Sequence, residues 1–299
     1  MTAELDAVLD RYGLTRQGPA EPLTGGADND VLRVPTDRGD VVVRRYRRSG
    51  TVGVRTELRF VDALAHQGFP TPGPLHTTSG DRLLPGAEPV AVFPFVSGAV
   101  PSSMTGDLVI QCGRLLARLH TTAPDMPIPS IDRASLLRQA IQAPTDLDGA
   151  DEWHQATETF LSEPGLSALD ALPSGALHHD LHRHNLLVAD GEITALLDFG
   201  ELNHGPWIID LARAFHYLAV DRDDFRLPRD LADAMLAGYE EVRALSSDER
   251  ALLQVALDLV GLVDAAEFLV EHASGLGYGS VESCHSWRAF LACQGVWGK

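Results

Sequence analysis

Cysteine is scarce. Three residues in 299, Cys112, Cys284 and Cys293, form no CxxC pair and are odd in number, which fits a reducing compartment better than a disulfide framework and makes the cytoplasm the expected location. Cys112 falls inside the apolar helical pattern LVIQCGRLLARLH and reads as a small buried thiol without a chemical role. Long hydrophobic runs are absent too. No segment reaches the apolar length needed to span a bilayer, and MTAELDAVLDRYG carries neither a basic flank nor an apolar stretch, so neither membrane insertion nor export is expected. Basic charge is in deficit, with 24 Lys and Arg against 42 Asp and Glu for a net charge of −18. That balance argues against nucleic acid as a partner, because affinity for a phosphate backbone rests on clustered cations. An acidic surface draws cations, and it also simply keeps a protein in solution. The one basic run, RRYRRSG, reads as solvated charge with Arg44 turned inward. No internal repeat or low-complexity tract stands out.

What is present suffices for two lobes: 44% of the residues are hydrophobic. Ala3–Tyr12 has the pattern of a short amphipathic helix. A glycine-rich entry, LTGGADND, leads into a hairpin with strands over Asp30–Val34 and Val41–Val43 and a turn at Thr36–Gly39. Leu58, Val61, Leu64 and Ala65 then share one helical face, and that helix stops at Gly68. Val90–Phe93 is a further strand with a Pro- and Gly-rich exit. From Asp107 onward the pattern is helical, in DLVIQCGRLLARLHTT, DEWHQATETFLS, WIIDLARAFHYLA, DLADAMLAGYEEV and DERALLQVALDLVGLVDAAEFLVEH. Only ALHH, NLLVA and EITALLDF interrupt it, as short strands around turns. The expectation is an α+β chain with a small β-rich N-terminal lobe, residues 1–97, a larger mainly helical lobe, residues 98–299, and a hinge around Pro94–Pro101.

The chemistry concentrates in ALHHDLHRHNLLVADGEITALLDFG. One reading of its four histidines, His178, His179, His182 and His184, is a zinc site. Zinc needs ligands that converge, however, and adjacent His178 and His179 point apart in an extended segment. The other reading is phosphoryl transfer, which needs a carboxylate to orient the attacking hydroxyl, oxygen ligands for magnesium and a hold on the phosphates. Asp180, Asn185 on the same loop and Asp198 at the end of an apolar strand supply a base, an amide oxygen and a second carboxylate, a donor set suited to a hard cation.

HHDLHRHN followed by LLDFGE resembles the catalytic and metal-binding motifs of the aminoglycoside phosphotransferase-like small-molecule kinases, a family that includes type II homoserine kinases and choline kinases and is related in fold to the protein kinases. The resemblance extends to CGRLLARLH before these motifs and GPWIIDLA after them. It implies a two-lobed protein-kinase-like fold, ATP (or GTP) and Mg2+ as cofactors, Asp180 as catalytic base, and Asn185 and Asp198 as magnesium ligands. It further implies Asp210 as a brace for the catalytic loop, His178 as the loop-supporting histidine and His182 as a neighbour of the base. Gly25 and Gly26 would approach the phosphates, and the backbone of Pro94–Val96 would meet the adenine. Two positions depart from the family. His179 stands where a glycine is common, and Arg44 in VVVRRY stands where many members carry a lysine. Glu57, on the following helix, is placed to pair with Arg44; the plainer reading is a solvated charge.

For the acceptor, Asp264, Glu267 and Glu271 share one face of the late helix. That stripe is either the wet side of the helix or a site for an amine-bearing substrate. Trp153, Trp207 and Trp287 are candidate walls or core residues. The leading expectation is a phosphotransferase acting on a hydroxyl of a cationic antibiotic or related natural product. The rivals are a metabolite kinase for homoserine, choline or another amino alcohol, and an inactive kinase-like nucleotide-binding protein. No protein partner is inferred.

Overall fold

Alternating valines on both sides of a Thr-Asp-Arg-Gly turn bury one face of a hairpin, and this hairpin organises the N-terminal sheet. In a computed structural model that describes residues 2–23, 29–47, 50–142, 148–219, 226–271 and 281–297, α1 (Thr2–Arg11) precedes a four-stranded antiparallel sheet in the order β1 (Glu21–Pro22), β2 (Asn29–Thr36), β3 (Gly39–Tyr46), β4 (Val90–Pro94). Both hairpin strands run longer than the sequence pattern indicated, with Val31 opposite Arg44 and Thr36 opposite Gly39. Val34, Val41, Val43 and Val92 pack with Leu9 and Tyr12 on one side, and Tyr46, Ala91 and Phe93 with Val54 and Leu58 of α2 (Thr51–His66) on the other. Each buried valine, leucine or phenylalanine among them contributes about 1.5–3 kcal/mol by leaving water.

The chain folds as two units. The first comprises residues 1–101, 122–127 and 184–200, the second residues 102–121, 128–183 and 201–299. The division expected from sequence is a single cut at 97/98, whereas these units interleave along the chain. Unit 1 therefore includes a second hairpin, β6 (Leu186–Ala189) and β7 (Glu192–Leu196). Asp190 and Gly191 connect its strands with positive φ of 52° and 82°, the left-handed pair that a two-residue hairpin turn requires. Ala99 and Val188 exchange both backbone hydrogen bonds at 2.9 Å, which ties the segment after β4 to this hairpin.

Unit 2 is built around α10 (Leu253–Glu271), which packs against α4 (Arg133–Ala140), α5 (Ala150–Leu161), α6 (Gly165–Ala168), α7 (Trp207–Ala214) and α11 (His285–Cys293). The single late helix read from sequence is broken: α9 (Ser247–Ala251) opens with a Ser246–Glu249 capping box and ends before α10 begins. α3 (Gly106–Thr122) and α8 (Arg229–Glu240) approach backbone to backbone. A Cβ on Gly113 would lie 2.2 Å from the Met235 carbonyl oxygen, so glycine is required there. After α7 the helix widens into a π-helical turn over Phe215–Ala219, where the sequence pattern continued as ordinary helix. β5 (Ser174–Leu177) pairs with β8 (Asn203–Pro206) in the register Leu177 opposite Asn203. No described helix is long and apolar enough to cross a membrane.

Candidate active site

Unit 1 contains a cavity of about 360 Å³ whose walls include Val31, Val42, Phe93, Leu187 and Leu197, together with Arg44, Glu57, Asn185 and Asp198. Pro94, Phe95 and Val96 line it as well. The β6–β7 hairpin brings Asn185 and Asp198 together, because they flank its paired ends and Leu197 N donates to the Asn185 carbonyl at 2.8 Å. Asp198 has a φ of 58°, an arrangement that costs a non-glycine residue about 1–3 kcal/mol and recurs at functional sites. Its Oδ1 accepts from Gly200 N at 3.2 Å.

The same Oδ1 accepts from Arg44 Nη2 at 2.8 Å, while Arg44 Nη1 lies 3.6 Å from Glu57 Oε1. The guanidinium also sits 4.7 Å from the centroid of the Tyr46 ring. The structure thus pairs Arg44 with Glu57 and links both to Asp198. The chain's only lysine is Lys299, so among the described residues no lysine takes the place that Arg44 fills. Burial opposes the Arg44 charge, but Tyr46, Asp198 and Glu57 outweigh it and raise the pKa. Glu57 is 8% exposed. Its burial outweighs Arg44, whose shorter contact goes to Asp198, and pushes the carboxyl up to about 7. Gly25 and Gly26 lie outside the described residues.

Within unit 2, β5 leads into the loop that carries Asp180, and Asp210 on α7 holds that loop. Asp210 is 1% exposed. Its carboxylate accepts from the backbone N–H groups of His178 at 2.8 Å and His179 at 2.7 Å, and its Oδ2 lies 3.1 Å from His120 Nε2. His120 Nδ1 is 2.7 Å from the Tyr239 hydroxyl, which accepts from Arg243 Nη1 at 3.2 Å. With Asp210 ionised, the network assigns the His120 proton to Nε2 and makes Nδ1 the acceptor. Burial disfavours the Asp210 charge, but His120 and the neighbouring histidines outweigh it and hold the carboxyl at about 2. The sequence match covered His120 without giving it a task. It is the third group on the brace.

His178 is fully buried, and its Nδ1 accepts from Asp180 N at 3.2 Å. His182 Nε2 lies 3.5 Å from Asp180 Oδ2. Burial raises the Asp180 pKa, but His182, His178 and Arg213 outweigh it and hold the carboxyl below its ordinary value. Asp180 is therefore an ionised carboxylate at neutral pH. His179 adopts a φ of 65°, which accounts physically for glycine being common at this place. Its ring does not reach solvent. It is 4% exposed, and burial, with the charges of Arg213 and Arg133, pulls its pKa down to about 2, so it stays neutral.

The acidic face of α10 differs from the expectation. Asp264 is neither wet nor open to a substrate amine: it is 7% exposed, pairs with Arg213 and accepts from the Tyr217 hydroxyl at 2.9 Å. Spacing alone places a residue on a helical stripe, and the partner on α7 decides what that stripe meets. Glu267 is exposed. The Glu271 side chain lies outside the described residues. Trp153 and Trp287 are core residues, whereas Trp207 stacks on His120 with centroids 5.6 Å apart and carries Arg243 4.5 Å from its ring centroid. Among the described residues no group of three or more His, Cys, Asp or Glu is arranged to hold a metal. Two protein oxygen donors in one pocket, Asn185 and Asp198, suit magnesium, which completes its shell with water and phosphate oxygens.

Comparison with known proteins places this arrangement. A homoserine kinase of Polaromonas naphthalenivorans is 29% identical over 238 residues, covering 77% of this chain and 74% of the relative. One of Gluconobacter oxydans is 27% identical, covering 83% and 81%. A choline/ethanolamine kinase family protein of Mesorhizobium loti superposes with a TM-score of 0.72 at 18% identity, covering 100% of this chain and 95% of that one. An amicoumacin kinase solved with AMP-PNP and Ca2+ superposes with a TM-score of 0.68 at 18% identity, covering 99% and 96%. The β-sheet N-terminal region and mostly helical C-terminal part thus share the fold of these kinases. The profile of the phosphotransferase enzyme family (APH) matches residues 19–245, which take in the β2–β4 sheet, the braced Asp180 loop and the Asn185–Asp198 hairpin, and the chain belongs to that family.

Proposed function

We propose that this phosphotransferase moves the γ-phosphoryl group of ATP to a hydroxyl of a small molecule, with Mg2+, and that the acceptor is a small hydroxylated metabolite of the homoserine or amino-alcohol kind. The observation that carries the reading is the braced loop: an ionised Asp180 held by His178 and by the buried Asp210, one turn of sequence before Asn185. In this reading Asp180 orients the acceptor hydroxyl and takes its proton. The cavity of unit 1 holds the nucleotide, with apolar walls for the base and the Pro94–Val96 backbone beside it. Arg44 turns its fork of donors from Asp198 toward phosphate oxygens. Asn185 and Asp198 would hold Mg2+, whose charge offsets that of the phosphates.

Two observations favour a metabolite over a cationic antibiotic. Curated relatives that match over 77% and 83% of the chain are homoserine kinases, and Asp264, one of the carboxylates expected to meet a substrate amine, is spent on Arg213. An inactive nucleotide-binding protein is disfavoured because the base and both metal-ligand candidates are present together. The test is nucleotide consumption measured across L-homoserine, choline, simple amino alcohols and cationic antibiotics, with and without Mg2+. Turnover with a small hydroxylated metabolite supports the reading. Turnover with an antibiotic alone restores the alternative, and ATP binding without turnover on any acceptor sinks the reading.

A further inference from the structure

Three nitrogen atoms around the Asp180 loop of unit 2 are sealed from solvent without a hydrogen-bond partner: Arg133 Nε, Arg213 Nε and His179 Nδ1. Arg133, Arg213 and His179 are 6%, 8% and 4% exposed. They belong to one neighbourhood, since the charges of both arginines act on His179 and that of Arg213 acts on Arg133. Buried polar groups are paired in more than about nine cases in ten, so three orphans in one place call for an explanation.

Charge sharpens the point. Arg213 has Asp264 as its counter-ion. Arg133 has none among the described residues: its Nη2 donates to Asn203 Oδ1 at 2.9 Å, and its Nη1 reaches only the Ile131 carbonyl at 3.5 Å. Two of five guanidinium donors are used. Three carboxylates attract it from farther away: Asp264 is committed to Arg213 and Tyr217, Asp210 to the loop amides and His120, and Glu267 is exposed and makes no ion pair with it. A buried guanidinium without a counter-ion is costly, and burial together with Arg213 pulls its pKa down to about 10. Its place in the fold is next to the chemistry. Asn203, its partner, stands opposite Leu177 in the β5–β8 ladder, and Leu177 directly precedes the His178–Asp180 loop. Gly205 keeps the approach open, because a Cβ there would lie 3.3 Å from Arg133 Nη1.

We propose that Arg133, seconded by Arg213 and His179, binds a carboxylate on the acceptor, so that the substrate is a hydroxylated acid of the amino-acid kind and not a simple amino alcohol. The inference rests on the kinase reading above and adds the acceptor's charge to it. A planar carboxylate matches the guanidinium fork, and the nearly dry surroundings make that pairing strong. Arg133 is a specificity residue here, distinct from the base.

The test compares kcat/KM for three acceptors that share one hydroxyl chain: L-homoserine, 3-aminopropan-1-ol, which lacks the carboxylate, and 4-hydroxybutanoate, which lacks the amine. The wild type is expected to prefer L-homoserine to 3-aminopropan-1-ol by at least about 10-fold. Arg133→Met is expected to remove that preference by lowering the values for L-homoserine and 4-hydroxybutanoate, which carry the carboxylate, while that for 3-aminopropan-1-ol stays, and Arg133→Lys to restore part of the loss. Equal use of L-homoserine and 3-aminopropan-1-ol by the wild type overturns the inference and leaves the kinase reading standing; this comparison needs no variant to fold. A fall with all three acceptors alike in Arg133→Met also overturns it, because the arginine then acts on the transferred phosphoryl group. If none of the three is phosphorylated, the kinase reading on these acceptors fails separately, and calorimetric binding of L-homoserine against 3-aminopropan-1-ol still decides the carboxylate claim.

Discussion

Replacing Asp210 with Asn changes one atom of a side chain that is 1% exposed, and the structure gives the consequence in numbers. The carboxylate accepts three hydrogen bonds, at 2.7, 2.8 and 3.1 Å. An amide keeps one acceptor oxygen and turns an NH2 group toward a donor. One charge-assisted bond is lost, worth about 1.5–3 kcal/mol, and one buried N–H is left unsatisfied at a cost of about 1–3 kcal/mol. The expected destabilisation of unit 2 is about 4 kcal/mol, a large share of the ~5–15 kcal/mol that holds a domain together. Urea unfolding followed by tryptophan fluorescence reports it selectively, since Trp153, Trp207, Trp287 and Trp297 all belong to unit 2. The amides of His178 and His179 position Asp180, so kcat is expected to fall by about 100-fold or more, as displacement of a catalytic group by an ångström does. Nucleotide affinity is expected to stay within a few-fold of wild type, because the cavity is built wholly from unit 1. A variant that loses less than about 1 kcal/mol and keeps kcat within about threefold refutes the brace.

Arg44→Met is expected to raise the KM for ATP by about 10-fold or more, since a buried cation leaves Glu57 and Asp198 facing each other; Arg44→Lys is expected to recover much of that loss, and an unchanged KM removes Arg44 from the donor site. The two units are expected to respond to pH in opposite senses. His179 and His216 have pKa values lowered to about 2 and about 4, so the stability they confer on unit 2 is full above about pH 6.5 and is lost as pH falls toward those values. Glu57 is raised to about 7, so its contribution to unit 1 is full below about pH 4.5 and is lost as pH rises through 7. Tryptophan-detected urea midpoints that fall from pH 7 to pH 5 agree with this; midpoints that rise contradict it.

Many of the candidate site residues were legible because they are local in sequence. Asp180, Asn185 and Asp198 fall within nineteen consecutive residues, and the hairpin that joins the last two is written in short apolar strands around Asp190-Gly191. The β2–β3 hairpin and α2 were legible for the same reason, since period-2 and period-3.6 patterns act at short range. What escaped depends on distant partners. β8, with the sequence NHGP, has no strand propensity and forms because β5 offers it a ladder. Arg133 sits in SIDRASLL with no periodic signal, and its meaning comes from Asn203, 70 residues away. The acidic stripe on α10 was visible, but Arg213, which neutralises Asp264 across 51 residues, was not legible as its partner. The π-helical turn that places Tyr217 near Asp264 likewise left no mark in the helical pattern.

The central claim is that an ionised Asp180 on a braced loop serves phosphoryl transfer from a nucleotide held in the cavity of unit 1. Its most direct test is phosphorus NMR of the wild type and Asp180→Asn incubated with ATP, Mg2+ and the best acceptor, alongside calorimetric ATP affinity for both. The expected result is a phosphate monoester of the acceptor from the wild type, a loss of at least about 1,000-fold in the variant, and equal ATP affinity. Product formation at near wild-type rate by Asp180→Asn would contradict the account.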